Sequence, residues 1–258
     1  MMIPFFTLVN REISRFLKVI VQTVFSPILS SFLYLLIFGV SLGSSIKLNN
    51  GQSYLAFLIP GLVVMGLINN AFQNTSSSII TSKFSGDIED LRVAPISHNQ
   101  IIWAMGVGGV FRGALVGFIT GLVGELFYFY QNGIFIGIRY PLLMIFFVLA
   151  GGLSFSFCGI FIAFVAKNFD QLSAFSSFIL LPLTYLGGVF ISTDNLSPFF
   201  KSASHINPLF YLINGFRYSI LGQSDVEINL AIIMTLISLG ITFLVARFAL
   251  KKGSYSRW

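Results

Sequence analysis

Two charged residues, Arg112 and Glu125, stand inside one apolar stretch, 101–129, of this 258-residue chain. A guanidinium at membrane depth is costly, so Arg112 must face protein or water, or snorkel to an interface. Two readings follow: it contacts a substrate in transit, or it packs against carbonyls or a carboxylate. Glu125 lies near the end of its stretch and reads as an interfacial charge. A proton pump or ion-coupled transporter would carry more intramembrane acids. None of the seven lysines follows a glycine, so the Gly–Lys pair of a phosphate-binding loop is missing. No Gly-x-Ser-x-Gly elbow presents a nucleophile. His98 and His205 fall on opposite sides of the membrane in the topology below, and no metal-ligand spacing joins them. The single Cys158 excludes an intramolecular disulfide and reads as an inert buried thiol. No catalytic set, metal site or bound cofactor is expected in this chain.

The most informative polar segment is Lys83-Phe84-Ser85-Gly86-Asp87-Ile88-Glu89-Asp90-Leu91-Arg92-Val93-Ala94-Pro95-Ile96. Ser85 or Asp87 can cap a helix, and Asp87, Glu89 and Asp90 suit its first turn, where the dipole favours anions. Arg92 suits the other end, and Pro95 stops the helix. Ile88 and Leu91 share one side at i, i+3. The pattern predicts a short helix with exposed apolar anchors, shaped to dock in a partner's groove. The alternative is a solvated helix resting on the bilayer.

The elements that must hold these residues are apolar. Hydrophobic residues make up 55% of the chain and charged residues 9%, too few to cover a water-facing surface. Six stretches, at 27–46, 54–80, 101–129, 140–166, 172–191 and 230–250, reach the ~20 residues that cross a hydrocarbon core. With the N-terminus inside, ten Lys and Arg flank the inner ends. Lys47, Arg139, Lys201 and Arg217 flank the outer ones, which supports both termini being cytoplasmic. The basic residues form no stripe suited to nucleic acid. Residues 7–24 predict an amphipathic helix in the interface plane, with Arg11, Arg15, Lys18 and Gln22 on one face. Gly109, Gly113, Gly117 and Gly121 line one helix face and predict close backbone packing, with a shorter pair at Gly39 and Gly43. The external segment 192–228 is apolar but broken by Pro198 and Pro208. It predicts short helices that dip into the outer leaflet without crossing.

The order of these parts resembles the type-2 ABC exporter permease family, in particular small bacterial permeases related to nodulation-factor and drug exporters. The resemblance covers essentially the whole chain. Its most specific parts are Ile88 to Ile96 and Pro182-Leu183-Thr184-Tyr185-Leu186-Gly187-Gly188-Val189-Phe190. Asn207-Pro208-Leu209 and Gly215-Phe216-Arg217-Tyr218 add to it. The resemblance implies one all-α transmembrane domain over residues 1–258, in a bacterial inner membrane. It implies six spans, an interfacial N-terminal helix, a cytoplasmic coupling helix and external re-entrant helices. The chain would move an amphipathic lipid, glycan or drug-like substrate outward and would not itself be an enzyme. A second copy and two ABC ATPase subunits, which hold ATP and Mg, would complete the transporter. Asp87, Ile88, Glu89, Asp90, Leu91, Arg92 and Val93 would be the ATPase-coupling helix. The family's first, second and fifth spans line the path and the dimer interface, which points to Phe32, Phe178, Tyr185 and Arg112. Pro208, Phe210, Phe216 and Arg217 would belong to an external gate. An ion-coupled secondary transporter or channel is the alternative, and it usually needs intramembrane acids and repeats. An intramembrane enzyme would need a polar cluster at membrane depth, where the sequence offers Arg112 alone.

Overall fold

Lipid offers no partner to a backbone N–H or C=O, so a long apolar run must satisfy its own groups as a helix. A computed structural model describes residues 3–41, 53–193 and 196–252, with Leu91 and Arg92 described by backbone alone. Among the described residues every regular element is helical. The order is α1 (Ile3–Leu17), α2 (Ile20–Ser41), α3 (Tyr54–Ser85), α4 (Ile88–Val93), α5 (His98–Asn132) and α6 (Pro141–Val165). After these come α7 (Phe169–Phe175), α8 (Leu181–Leu186), α9 (Pro198–Ile206), α10 (Pro208–Leu221) and α11 (Ile228–Lys252). The last part of α2, Leu35–Ser41, winds as a π-helix, and so does Ser176–Leu180 between α7 and α8.

Five helices, α2, α3, α5, α6 and α11, are long and apolar enough to cross a membrane. The stretch expected as another crossing, 172–191, is built differently. It is a run of short pieces, α7, the π-helical turn and α8, that ends at Gly187. Pro182 sits in the first turn of α8, where its missing N–H is least felt. The helix expected over 7–24 is also divided. It breaks at Lys18 and Val19, and α2 starts at Ile20, so Gln22 and Ser26 belong to the first spanning helix. Hydropathy marks the apolar part of that helix and misses its polar start.

The centre of the molecule is α3, packed chiefly against α5 and α6 and buried on almost every side. Small residues permit this. A Cβ at Gly113 would stand 2.5 Å from the Leu67 carbonyl oxygen, and one at Gly159 of α6 would stand 2.5 Å from that of Phe72. Contact is looser at Gly117 (3.3 Å) and Gly121 (3.5 Å) and tight again at Gly124, 2.7 Å from the Ile59 side chain. The glycine stripe is therefore a packing surface, as its spacing predicts. Gly39 meets the Leu55 side chain, whereas Gly43 lies outside the described residues.

Candidate functional site

Polar side chains on these apolar helices gather in one place. A cleft of about 760 Å³ opens between α2, α3, α5 and the α7 run. Ser26 and Ser30 line it from α2, Asn69 and Gln73 from α3, Thr120 from α5, and Ser176 from the π-helical turn. Ser31 and Thr120, 3.1 Å apart, tie α2 to α5 across it. Two charged residues line the cleft, Arg15 and Arg112, and no carboxylate does among the described residues.

The two arginines differ in company. Arg15 donates to the Asn74 carbonyl, to Asn74 Oδ1 at 3.2 Å and to Ser77 Oγ at 3.1 Å. Its Nη2 also lies 3.7 Å from Glu12 Oε2. Glu12 is fully buried, accepts from Ser78 Oγ at 2.9 Å and pairs with Arg11 at 3.1 Å. Gly108 makes room for it, since a Cβ there would sit 2.6 Å from that of Glu12. Burial lowers the pKa of Arg15 from its usual value; Glu12 opposes that shift and Arg11 adds to it. Arg112 has no hydrogen bond or ion pair among the described residues, and its Nε is buried without a partner.

The C-terminal end of α3 leads into α4. Gly86 adopts φ +87°, a left-handed turn that ends α3 and costs glycine little. Ser85 Oγ donates to Asp87 at 2.7 Å, which steadies the start of α4. Ala94 turns extended ahead of Pro95, as the residue before proline tends to do. Asp87, Glu89, Asp90 and Val93 are exposed. Ile88 corrects the sequence reading: it is buried against the chain's own core and is not a free anchor. A six-residue helix must fix itself to the rest of the chain, and among the described residues Ile88 is the side chain of α4 that joins the core. The side chains of Leu91 and Arg92 lie outside the described residues. Lys83 Nζ donates to the Ala163 carbonyl at 2.9 Å, and Phe84 stacks on Phe169 at 5.6 Å. The root of α4 is thus tied to the end of α6 and the start of α7.

The N-terminal end of α3, at the other end of the bundle, meets a closed network. Arg217 is buried and donates to the carbonyls of Phe57 (3.3 Å) and Gly188 (2.7 Å) and to Asn214 Oδ1 (3.1 Å). Its guanidinium also lies over the Phe57 ring at 3.7 Å. Asn207 Nδ2 donates to the Leu183 carbonyl at 2.6 Å, and Ser204 Oγ to that of Leu186 at 2.8 Å. These cap the end of α8, where the Leu183 carbonyl also accepts from the Gly187 N–H at 2.8 Å. Three motif segments, 182–190, 207–209 and 215–218, therefore meet at one junction. Asp225 joins Ser192, Thr193 and Asn214 beside it. Glu125 accepts from the Ile136 N–H at 3.2 Å, in the turn after α5.

Of the residues expected on the path, Arg112 lines the cleft. Phe32 packs on Phe127 and Tyr185 on Phe190, both partly exposed, and Phe178 stands free at 79% exposure. None of these three aromatics lines the cleft. Phe210, Phe216 and Arg217, expected at a gate, are buried inside the subunit, and Pro208 is exposed. The sequence reading missed Glu12 and the cleft's hydroxyls and amides. The available signal was small polar residues at helical spacing, as at Gln22, Ser26 and Ser30.

A bundle of long apolar helices around a polar cleft, with a short helix held outside the core, defines a membrane protein of the transporter kind. The chain belongs to the ABC-2 type transporter family, whose model matches residues 4–221. It is 42% identical over 220 residues to the inner membrane transport permease YadH of Escherichia coli K12, covering 84% of this chain and 83% of that one. YadH of Shigella flexneri matches to the same extent. Nodulation protein J of Azorhizobium caulinodans is 22% identical over 246 residues, 92% of this chain and 91% of that one. Members of the family are membrane subunits that work with a separate ABC ATPase.

Proposed function

We propose that this chain is the permease of an ABC exporter in a bacterial inner membrane. It moves an amphipathic lipid, glycan or drug-like substrate outward. Two copies work with two ATPase subunits that bind ATP and Mg. In this reading the run 169–186 is a sixth crossing, both termini are cytoplasmic and α1 lies in the interface. α9 and α10 are re-entrant: nine and fourteen residues reach about 14 and 21 Å, short of the ~30 Å core. Phe32, Phe178 and Tyr185 are exposed where a second copy would cover them.

The observation that carries this reading is the continuity of α3. One helix presents Asn69, Gln73 and Ser77 to the cleft and continues to the turn that bears α4. Lys83 and Phe84 lock that end to α6 and α7. Motion imposed on α4 by an ATPase reaches the cleft wall without a flexible link. Asp87, Glu89, Asp90 and Val93 form the offered face, and Ile88 anchors its root.

The test is a double change, Val93→Asp with Glu89→Arg. Both residues are exposed, so insertion and folding stay intact. ATPase capture from detergent extracts should weaken by about 10- to 100-fold, and stimulated ATP hydrolysis in proteoliposomes should be lost. Normal capture and normal stimulation would remove α4 as the coupling element.

A further inference from the structure

The charge of the cleft says what kind of ligand suits it. Its two charged residues are both cations. Arg15 is held by Asn74, Ser77 and Glu12. Arg112 is a guanidinium with five donors and no acceptor among the described residues, and the charge acting on it is that of Arg15. Buried polar groups normally find partners, and two like charges facing one space repel until an anion enters it. Around them the wall offers only neutral groups such as Gln73, Ser77 and Ser173, which can donate to further oxygens. The volume is in the range of ligand-binding clefts.

Depth narrows the choice. Gly108 abuts Glu12 of α1, and Arg112 follows one turn later on α5, about 6 Å along the axis. With α1 in the interface, as the permease reading has it, Arg112 lies about one helical turn deeper than α1, within reach of a headgroup that enters the cleft beside that helix.

We propose that Arg112, with Arg15 beside it, binds the phosphate of an anionic headgroup, so that this permease takes a phosphate-bearing amphiphile into the cleft from the inner leaflet. The proposal rests on the permease reading and adds the substrate class. A guanidinium fork matches two phosphate oxygens at once, and the hydroxyl-lined wall suits the rest.

The test uses the full chain, purified with its ATPase partner in phosphatidylcholine nanodiscs. Fluorescent phosphatidic acid and phosphatidylcholine carrying the same dye are titrated in turn. Phosphatidic acid should bind saturably and at least about tenfold tighter, and Arg112→Gln should lose about tenfold. Arg112→Lys should recover part of that loss, and the exposed Lys18→Gln should match wild type. Competition by millimolar inorganic phosphate assigns recognition to the anion alone; lack of competition assigns it to the lipid-borne group, and both keep the site. Equal binding by wild type and Arg112→Gln, each still capturing the ATPase, overturns the proposal. Lipid discrimination through Arg112 in a chain that engages no ATPase would instead defeat the permease reading and leave the anion site standing.

Discussion

Arg112 and Arg217 are the same side chain in two opposite settings. Arg217 has an acceptor for each terminal group and an aromatic face beneath it. Arg112 has neither a hydrogen-bond acceptor nor a counter-ion among the described residues. Arg217 holds the chain together, joining the turn after α8 to α3 and α10. Arg112 makes no hydrogen bond or ion pair among the described residues and faces a cleft. A costly charge on an apolar helix is thus read by its partners: a satisfied one is structural, and an unsatisfied one awaits a ligand.

The sharpest way to break this contrast is Arg217→Met. It takes the arginine's donors from two carbonyls and from Asn214 Oδ1, which keeps the Asp225 N–H, and stability should fall by about 3 kcal/mol. Unfolding in detergent, followed by helical ellipticity, measures the loss, and an unchanged midpoint would show that the network is dispensable. Asn207→Ala removes the cap on Leu183 and should cost about 1 kcal/mol in the same assay. A loss as large as that at Arg217 would mean that Asn207, not the arginine, holds the junction. Arg112→Gln breaks no hydrogen bond or ion pair among the described residues and should move stability by less than about 0.5 kcal/mol. A large loss there would place Arg112 among the structural cations and erase the contrast.

The fold was largely legible because lipid demands long apolar helices, and five of the six expected stretches form them. The loop helix was legible because Gly86 and Pro95 bracket it. The orientation of Ile88 was not, since one turn of helix cannot say which side meets α3. Glu12 escaped because its burial depends on Gly108, nearly a hundred residues away. The cleft escaped for the same reason: five separate elements supply its polar side chains, and only their packing brings these together. Arg112 was singled out as a charge on an apolar helix, but its depth needed the contact between α1 and α5. The motif stretches at 182–190, 207–209 and 215–218 were visible as residues, and their common junction was not.

The two π-helical segments give the cleft a mechanical property. A π-turn holds one residue more than an α-turn, so it stores a surplus that can be passed along a helix. One such segment ends α2 and the other separates α7 from α8, and both helical runs border the cleft. Moving the surplus past a residue swings that residue by about 100° around the axis and advances it by about 1.5 Å. Ser176 and Ser177 line the cleft from within the second segment. Passing its surplus along would exchange their hydroxyls for neighbouring apolar side chains such as Phe178 and Ile179. The wall would then change from wet to greasy by a twist in one strip of backbone, with no helix displaced as a rigid rod.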